Sequence, residues 1–274
     1  MIVDRELLNG VEDAMAAERS AFADGMAALR PGSGAGWLPV AGGRAIFTGT
    51  GFFTNRVMAM GLRGPVSPTD VERVEAFYAE RGVPSEIEIA SMVDRSLIQV
   101  LNQCGYRLVR FRNIYAQALH PRDATSAGPV ARPPGVEIRT VDASTAAAWS
   151  TILLDGFGYT RDADRERVAV WNRMLCSLPG VTALVALIDG EPVGAASVML
   201  LGSTAVLGGA ATLPACRRRG VQRALIAARL AVAVHAGGTL AVITADPGSS
   251  SGRNAERSGF QLVCNHVVMR APEA

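Results

Sequence analysis

Two stretches of this chain, 154 residues apart, carry the same succession of residue types. Asn102-Gln103-Cys104-Gly105-Tyr106-Arg107-Leu108-Val109 aligns with Glu256-Arg257-Ser258-Gly259-Phe260-Gln261-Leu262-Val263, and the same shift lays Ile87-Glu88-Ile89 on Ala241-Val242-Ile243. A repeat of this span restricts the fold, because each half must supply strand, helix, glycine-aromatic turn and strand in that order. One architecture is built twice. With 274 residues, 49% of them hydrophobic and 19% charged, either half is large enough to bury a core of its own.

Hydrophobic spacing predicts a helix over residues 3–29, short strands at 45–47 and 56–60, a helix after Ser67, a strand at 86–90, a helix at 97–103 and a strand at 107–119. In the second half, strands are predicted at 136–139, 181–188, 193–200, 204–212, 239–244 and 261–269, with helices at 144–154, 162–178, from 220 onward, and at 253–257. Asp189-Gly190 between two apolar runs marks a two-residue hairpin. The fold class is α/β in the α+β sense, with a mixed, mostly antiparallel sheet flanked by helices in each of two domains. Residues 1–120 and 135–274 form these domains, joined by a linker over 121–134 that is rich in Pro, Gly, Ala and Ser.

The halves differ at one pair of helix starts. The first, Ser67-Pro68-Thr69-Asp70, has a serine cap, proline at the first helical position and an acid three residues after the cap. The second follows Ala211-Thr212-Leu213-Pro214-Ala215-Cys216-Arg217-Arg218-Arg219-Gly220 and has no acid nearby. A helix N-terminus presents unpaired N–H groups and a positive partial charge, to which carboxylates and phosphates are alternative partners. Only the second half is therefore expected to bind a phosphorylated cofactor.

Composition narrows the chemistry. The chain contains no lysine, which excludes a P-loop or kinase-type lysine and any Schiff base. The net charge of +2 and the lack of aromatics among the arginines argue against nucleic acid as partner. Cys104, Cys176, Cys216 and Cys264, and His120, His235 and His266, show no metal-ligand spacing, so no metal is expected and the thiols read as reduced. No secretory segment or membrane-length apolar run is visible, and a cytoplasmic protein is expected, monomeric or homodimeric.

Residues 136–269 resemble the GNAT superfamily of acyl-CoA N-acyltransferases, and the first half resembles a degenerate copy, as in tandem GNAT proteins. The resemblance rests on Arg217-Arg218-Arg219-Gly220-Val221-Gln222-Arg223-Ala224-Leu225, which is similar to the family's pyrophosphate motif Q/R-x-x-G-x-G/A, together with the Asp-Gly hairpin and the closing Gly-Phe turn. It implies acetyl-CoA, or another acyl-CoA, as cofactor. Its pyrophosphate would lie on the N–H groups of Arg218 to Arg223, with Arg217 beside them, and its pantetheine would pair with Ala211, Thr212 and Leu213. Ser250 and Asn254 would contact the pantetheine or phosphates. Two departures stand out: Gln222 occupies the second glycine position, and Ala255 stands where many members have an acidic tyrosine. Ser249, Asp155 and Glu191 are the candidates for the proton chemistry, beside Asp162; Tyr159 is a candidate for the acceptor pocket. The implied activity is direct transfer of an acetyl group to a small primary amine; the alternative is a non-catalytic CoA-binding or sensory protein.

Overall fold

Asp189 and Gly190 both take left-handed φ angles, 53° and 84°, the combination that a two-residue hairpin turn requires. They close strand β7 (Val181–Ile188) onto β8 (Glu191–Leu201). In the computed structural model, which describes residues 3–121, 133, 135–142 and 144–272, this hairpin lies in one of two compact units. That unit comprises Tyr115–Ile243 and Ser250–Gln261; the other comprises Ile2–Ile114, Thr244–Ser249 and Leu262–Ala274. The expected division into 1–120 and 135–274 follows chain order, whereas the units do not, because the last strand groups with the first half. Apart from Pro121 and Pro133, the expected linker lies outside the described residues.

The unit built mainly from the first half contains α1 (Arg5–Leu29), β1 (Gly36–Val40), β2 (Gly43–Phe47), β3 (Arg56–Met58), α2 (Pro68–Ala79), β4 (Glu86–Ile89) and α3 (Arg95–Gln103). It also holds the first part of β5 (Arg107–Ala118) and most of β11 (Gln261–Arg270), with strand order β1-β2-β3-β4-β11-β5. β3 pairs parallel with β4, whereas β1–β2, β2–β3 and β4–β11 are antiparallel. β1 is a strand that sequence periodicity missed, since its two exposed positions, Trp37 and Pro39, obscure it. The core is apolar, with Phe47, Val57, Val71, Tyr78, Ile87, Leu97 and Leu101 at its centre.

Beside that core lies a buried ionic network. His266 of β11 is fully enclosed, its Nδ1 2.8 Å from Glu88 Oε1 and its Nε2 2.6 Å from Glu12 Oε1. Arg56 Nη1 donates to the other Glu88 oxygen at 2.7 Å. Burial alone would lower the His266 pKa, but the charge of Glu12 and hydrogen bonds to Cys264, Glu12 and Glu88 outweigh it and raise the value well above the usual histidine range. Burial alone would raise Glu88; the His266 hydrogen bond and the charges of Arg56, Arg112 and His266 hold it well below the usual carboxylate range. Each charge is matched by an opposite one. Cys264 Sγ joins this group, so Glu12, Cys264 and His266 bring their ligand-type atoms within 4.8 Å of one another, a convergence that no local spacing in the sequence signals.

The other unit contains β6 (Val136–Thr140), α4 (Ala146–Gly156), α5 (Asp162–Ser177), β7, β8, β9 (Thr204–Thr212), α6 (Val221–His235), β10 (Leu240–Ala245, to Ile243 in this unit) and α7 (Ser250–Arg257). Its strand order is β10-β9-β8-β7-β6, with β10–β9 parallel and the rest antiparallel. Val221, Ala224, Leu225 and Ala228 of α6, at helical spacing, pack on Leu184, Ala186, Val193 and Ala196. Trp149 of α4 is fully buried and donates its indole N–H to Ala196 O at 3.2 Å.

The repeat is visible in hydrogen bonds. After α3, Gly105 N donates to Asn102 O and Tyr106 N to Leu101 O; after α7, Gly259 N donates to Glu256 O and Phe260 N to Ala255 O. Donors and acceptors are related by the same shift of 154 residues. Both glycines are left-handed, with φ of 74° and 94°.

Candidate functional site

β9 and β10 pair in parallel from Leu240↔Thr204 to Val242↔Val206, and β9 continues to Thr212. The strand therefore runs six residues beyond Val206. On its other side β9 pairs with β8, and the register slips between Ala195↔Ala211 and Ser197↔Gly208, leaving an extra residue on β9. Such a bulge bends a strand and interrupts its ladder. Gly208 and Ala210 are half-buried and Gly209 is exposed, although Thr204 to Leu207 are buried. The bend leaves open backbone in the middle of a sheet.

Beyond it come a short 3-10 turn, Pro214–Cys216, and then Arg217, Arg218, Arg219 and Gly220. Arg218 and Gly220 have φ of 64° and 80°. Left-handed residues within a turn bring successive N–H groups toward one concavity. For arginine this conformation costs about 1 kcal/mol or more, and a Cβ on Gly220 would sit 2.4 Å from Pro133 Cγ. α6 begins at Val221 with no side-chain cap and no acid in its first turn. Among the described residues, no backbone hydrogen bond is donated by Arg218 to Arg223, and Arg217, Arg218, Arg219 and Arg223, all exposed, form no ion pair. The result is a run of unused N–H donors among four arginines that form no ion pair.

Neighbouring elements brace this turn. Gln222 Nε2 donates to Thr212 Oγ1 at 2.9 Å, so its amide is tied to the end of β9. Arg217 Nη2 donates to Gly156 O at 3.0 Å. Gly156 ends α4 so close to β9 that a Cβ there would meet Ala211 Cβ at 2.6 Å and Thr212 N at 3.3 Å. A Cβ on Gly194 of β8 would meet Val221 Cγ1 at 2.5 Å. These two glycines let a helix end and a helix start close on the strand, and sequence reasoning had not singled them out. Their signal was a glycine within an otherwise helical pattern and another within a strand pattern.

The remaining sequence candidates fall in different surroundings. Ala211 and Thr212 are buried at the end of β9. Leu213 N donates to Val193 O at 3.0 Å, so it is engaged with β8, and strand alternation leaves the Thr212 backbone groups on the opposite edge. Ser250 is exposed at the start of α7 and Asn254 is half-buried on it; Ala255 is fully buried. Ser249 belongs to the segment Thr244–Ser249 of the other unit. Asp155 is ion-paired to Arg165 at 2.8 Å, so its carboxylate is already engaged by a neighbouring side chain. Glu191 is exposed beside the hairpin turn, Asp162 is exposed at the start of α5, and Tyr159 is half-buried with its carbonyl accepting from Arg165.

Residues 146–260 match the model of the acetyltransferase (GNAT) family. The fold is similar over nearly the whole chain to a GCN5-related N-acetyltransferase from Kribbella flavida, with a TM-score of 0.66 and 22% identity over 94% of this chain and 96% of that one. A tandem GNAT protein from the clavulanic acid biosynthesis pathway gives a TM-score of 0.64 at 15% identity, covering 100% and 98%. A functionally unknown conserved protein from Staphylococcus epidermidis gives 0.62 at 13% identity, covering 86% and 93%. Comparison with curated protein sequences finds no match. The likeness to these structures is one of fold, and residues 146–260 carry the GNAT acetyltransferase family match, set within a fold like that of tandem GNAT proteins.

Proposed function

We propose that the chain is an N-acetyltransferase that moves the acetyl group of acetyl-CoA, or a related acyl-CoA, directly onto a small primary amine. The observation that carries this reading is the uncapped start of α6, with its undonated N–H groups from Arg218 to Arg223 and no acid in the first turn. The residues fit the cofactor: a pyrophosphate needs several donors and positive charge at one spot, and the α6 start offers both. In this reading Arg217, Arg218, Arg219 and Arg223 neutralise phosphate charge, while the backbone from Gly220 to Arg223 donates to phosphate oxygens. The open edge of β9 near Thr212 pairs with the pantetheine arm, and Ser250 and Asn254 lie on α7 as further contacts. The bound cofactor supplies a thioester activated toward amines. The N–C bond forms as the C–S bond breaks, and the proton given up by the amine balances the one taken by the thiol.

The second unit in this proposal shapes the protein without binding cofactor, since its corresponding helix start is capped. Asp155 is the least suited of the three acid–base candidates, given its pairing with Arg165. Glu191 is exposed and Ser249 bears a hydroxyl; both remain in the proposal. A cytoplasmic location and a monomeric or dimeric state accompany it. Thiol release from acetyl-CoA over a panel of small amines tests the reading, with calorimetry of CoA binding beside it. Binding without release on any amine points instead to a CoA-binding sensor, and absence of binding sinks the cofactor assignment.

A further inference from the structure

Arg229 lies two turns into α6, 3% exposed, on a helix whose other buried residues are apolar. Its Nε donates to Leu225 O at 3.1 Å, within its own helix, and its Nη1 to Gly208 O at 3.2 Å. No carboxylate pairs with it among the described residues, and burial by itself lowers its pKa to about 9. Arg56, the other buried arginine among the described residues, is ion-paired to Glu88. A buried cation with only carbonyl partners stabilises a fold less than an apolar side chain of the same size would. Packing does not require this charge.

Its contact explains where it acts. Gly208 is the residue at which the β8–β9 register slips, two residues beyond Val206, which pairs with Val242 of β10. We propose that Arg229 is a positioning residue of the acyl-CoA site: it holds the Gly208 carbonyl, keeps the bulge of β9 against β8 in place, and sets a positive charge behind the bulged strand. The inference rests on the cofactor reading above, in which the pantetheine arm of the cofactor pairs with this strand. Without the guanidinium, the Gly208 carbonyl loses its donor and is free to seek another, which releases the bulge. The charge also favours negative charge developing on a thioester carbonyl near the strand.

The test uses the full chain with Arg229→Met and Arg229→Lys, compared by melting temperature, by affinity for acetyl-CoA, and by affinity for the adenosine bisphosphate half of CoA, which lacks the pantetheine arm. The Met variant is expected to melt no lower than the native chain and to bind the nucleotide half equally well. Its affinity for acetyl-CoA relative to that nucleotide falls about tenfold, and the Lys variant recovers part of the loss. Where an amine acceptor is in hand, kcat falls in the same order. An unchanged ratio of affinities in the Met variant overturns the inference, as does a Met variant that loses melting temperature and nucleotide binding together while the Lys variant does the same, because that pattern is structural. A native chain that binds neither ligand overturns the cofactor reading, and this inference with it.

Discussion

The starts of α2 and α6 are counterparts in the repeat, and they dispose of the same unsatisfied N–H groups in opposite ways. At α2, Ser67 Oγ accepts from Asp70 N and the Asp70 carboxylate accepts from Ser67 N, a reciprocal box that fills the helix terminus. Pro68 removes one donor altogether. At α6 nothing caps the helix, the first turn has no acid, and three arginines precede it. The strands leading in differ as well. β3 is three residues long, whereas β9 runs on six residues beyond Val206. In the proposed reading, a helix terminus becomes a ligand site by what the sequence omits: a cap and an acid. The half that fills those positions has put its charges to structural use, in the network around His266.

If that division holds, the largest effect on stability belongs to the first half's network. His266→Leu leaves Glu12 without its donor in a buried setting and removes one partner of Glu88, and should cost about 3–5 kcal/mol, read as a lower urea midpoint. The pH dependence has a definite sign. A histidine whose folded pKa is raised contributes fully below its unfolded value of about 6.5 and loses that contribution as pH rises toward the folded value. Glu88, held low, contributes above about 4.3 and fades as pH falls through its folded value. The gap between native chain and variant should therefore be widest between those limits and shrink on the alkaline side. A gap that grows with pH would mean that His266 is neutral in the fold.

Next in size is the effect of reversing charge at the other helix start. Arg218→Glu with Arg219→Glu brings to α6 the kind of charge that α2 already carries, and should weaken CoA binding at least about 100-fold, or about 2.7 kcal/mol, by calorimetry. These side chains are exposed, so the melting temperature should hardly move. Smaller again is Gly156→Ala. The added methyl would press on Ala211 Cβ at 2.6 Å and should cost about 1–3 kcal/mol in thermal unfolding. Gly10→Ala in α1, where an added Cβ meets nothing within 4 Å, should instead stabilise by about 0.4–1 kcal/mol. Equal effects at both glycines would mean that α4 does not close on β9.

Much of this was legible from residues alone, for physical reasons. Caps, hairpin turns and glycine-aromatic turns are local, so Ser67-Pro68-Thr69-Asp70, Asp189-Gly190 and Gly259-Phe260 announce themselves within a few positions. The run of three arginines and a glycine from Arg217 to Gly220, with no acid beside it, is equally local. What the sequence hid depends on partners far away in the chain. Nothing near His266 says that Glu12 and Glu88 enclose it, or that the last strand pairs with β4. The bulge at Gly208 requires knowing how β8 registers against β9. Arg229 was visible only as a charge interrupting an apolar helix, and its meaning came with its acceptor.

The capping box of α2 is the most direct probe of the comparison. Ser67→Ala with Asp70→Asn removes the capping box from α2 and should cost about 1–2 kcal/mol, measured by thermal unfolding. Asp70 is held below the usual carboxylate range by its hydrogen bonds with Ser67, so the native chain loses this contribution as pH falls through the depressed value, and the variant should lose nothing there. Uncapping alone should not create a phosphate site. Pro68 has no N–H to offer, Val66 N already donates to Ser96 Oγ at 2.7 Å, and no run of arginines precedes the helix. Calorimetry with inorganic phosphate and with CoA, using a variant that also carries the α6 charge reversal, should therefore record no binding. Binding in that background would mean that the cap alone had silenced α2, and that the two helix starts differ by two side chains rather than by the strand, turn and charge around them.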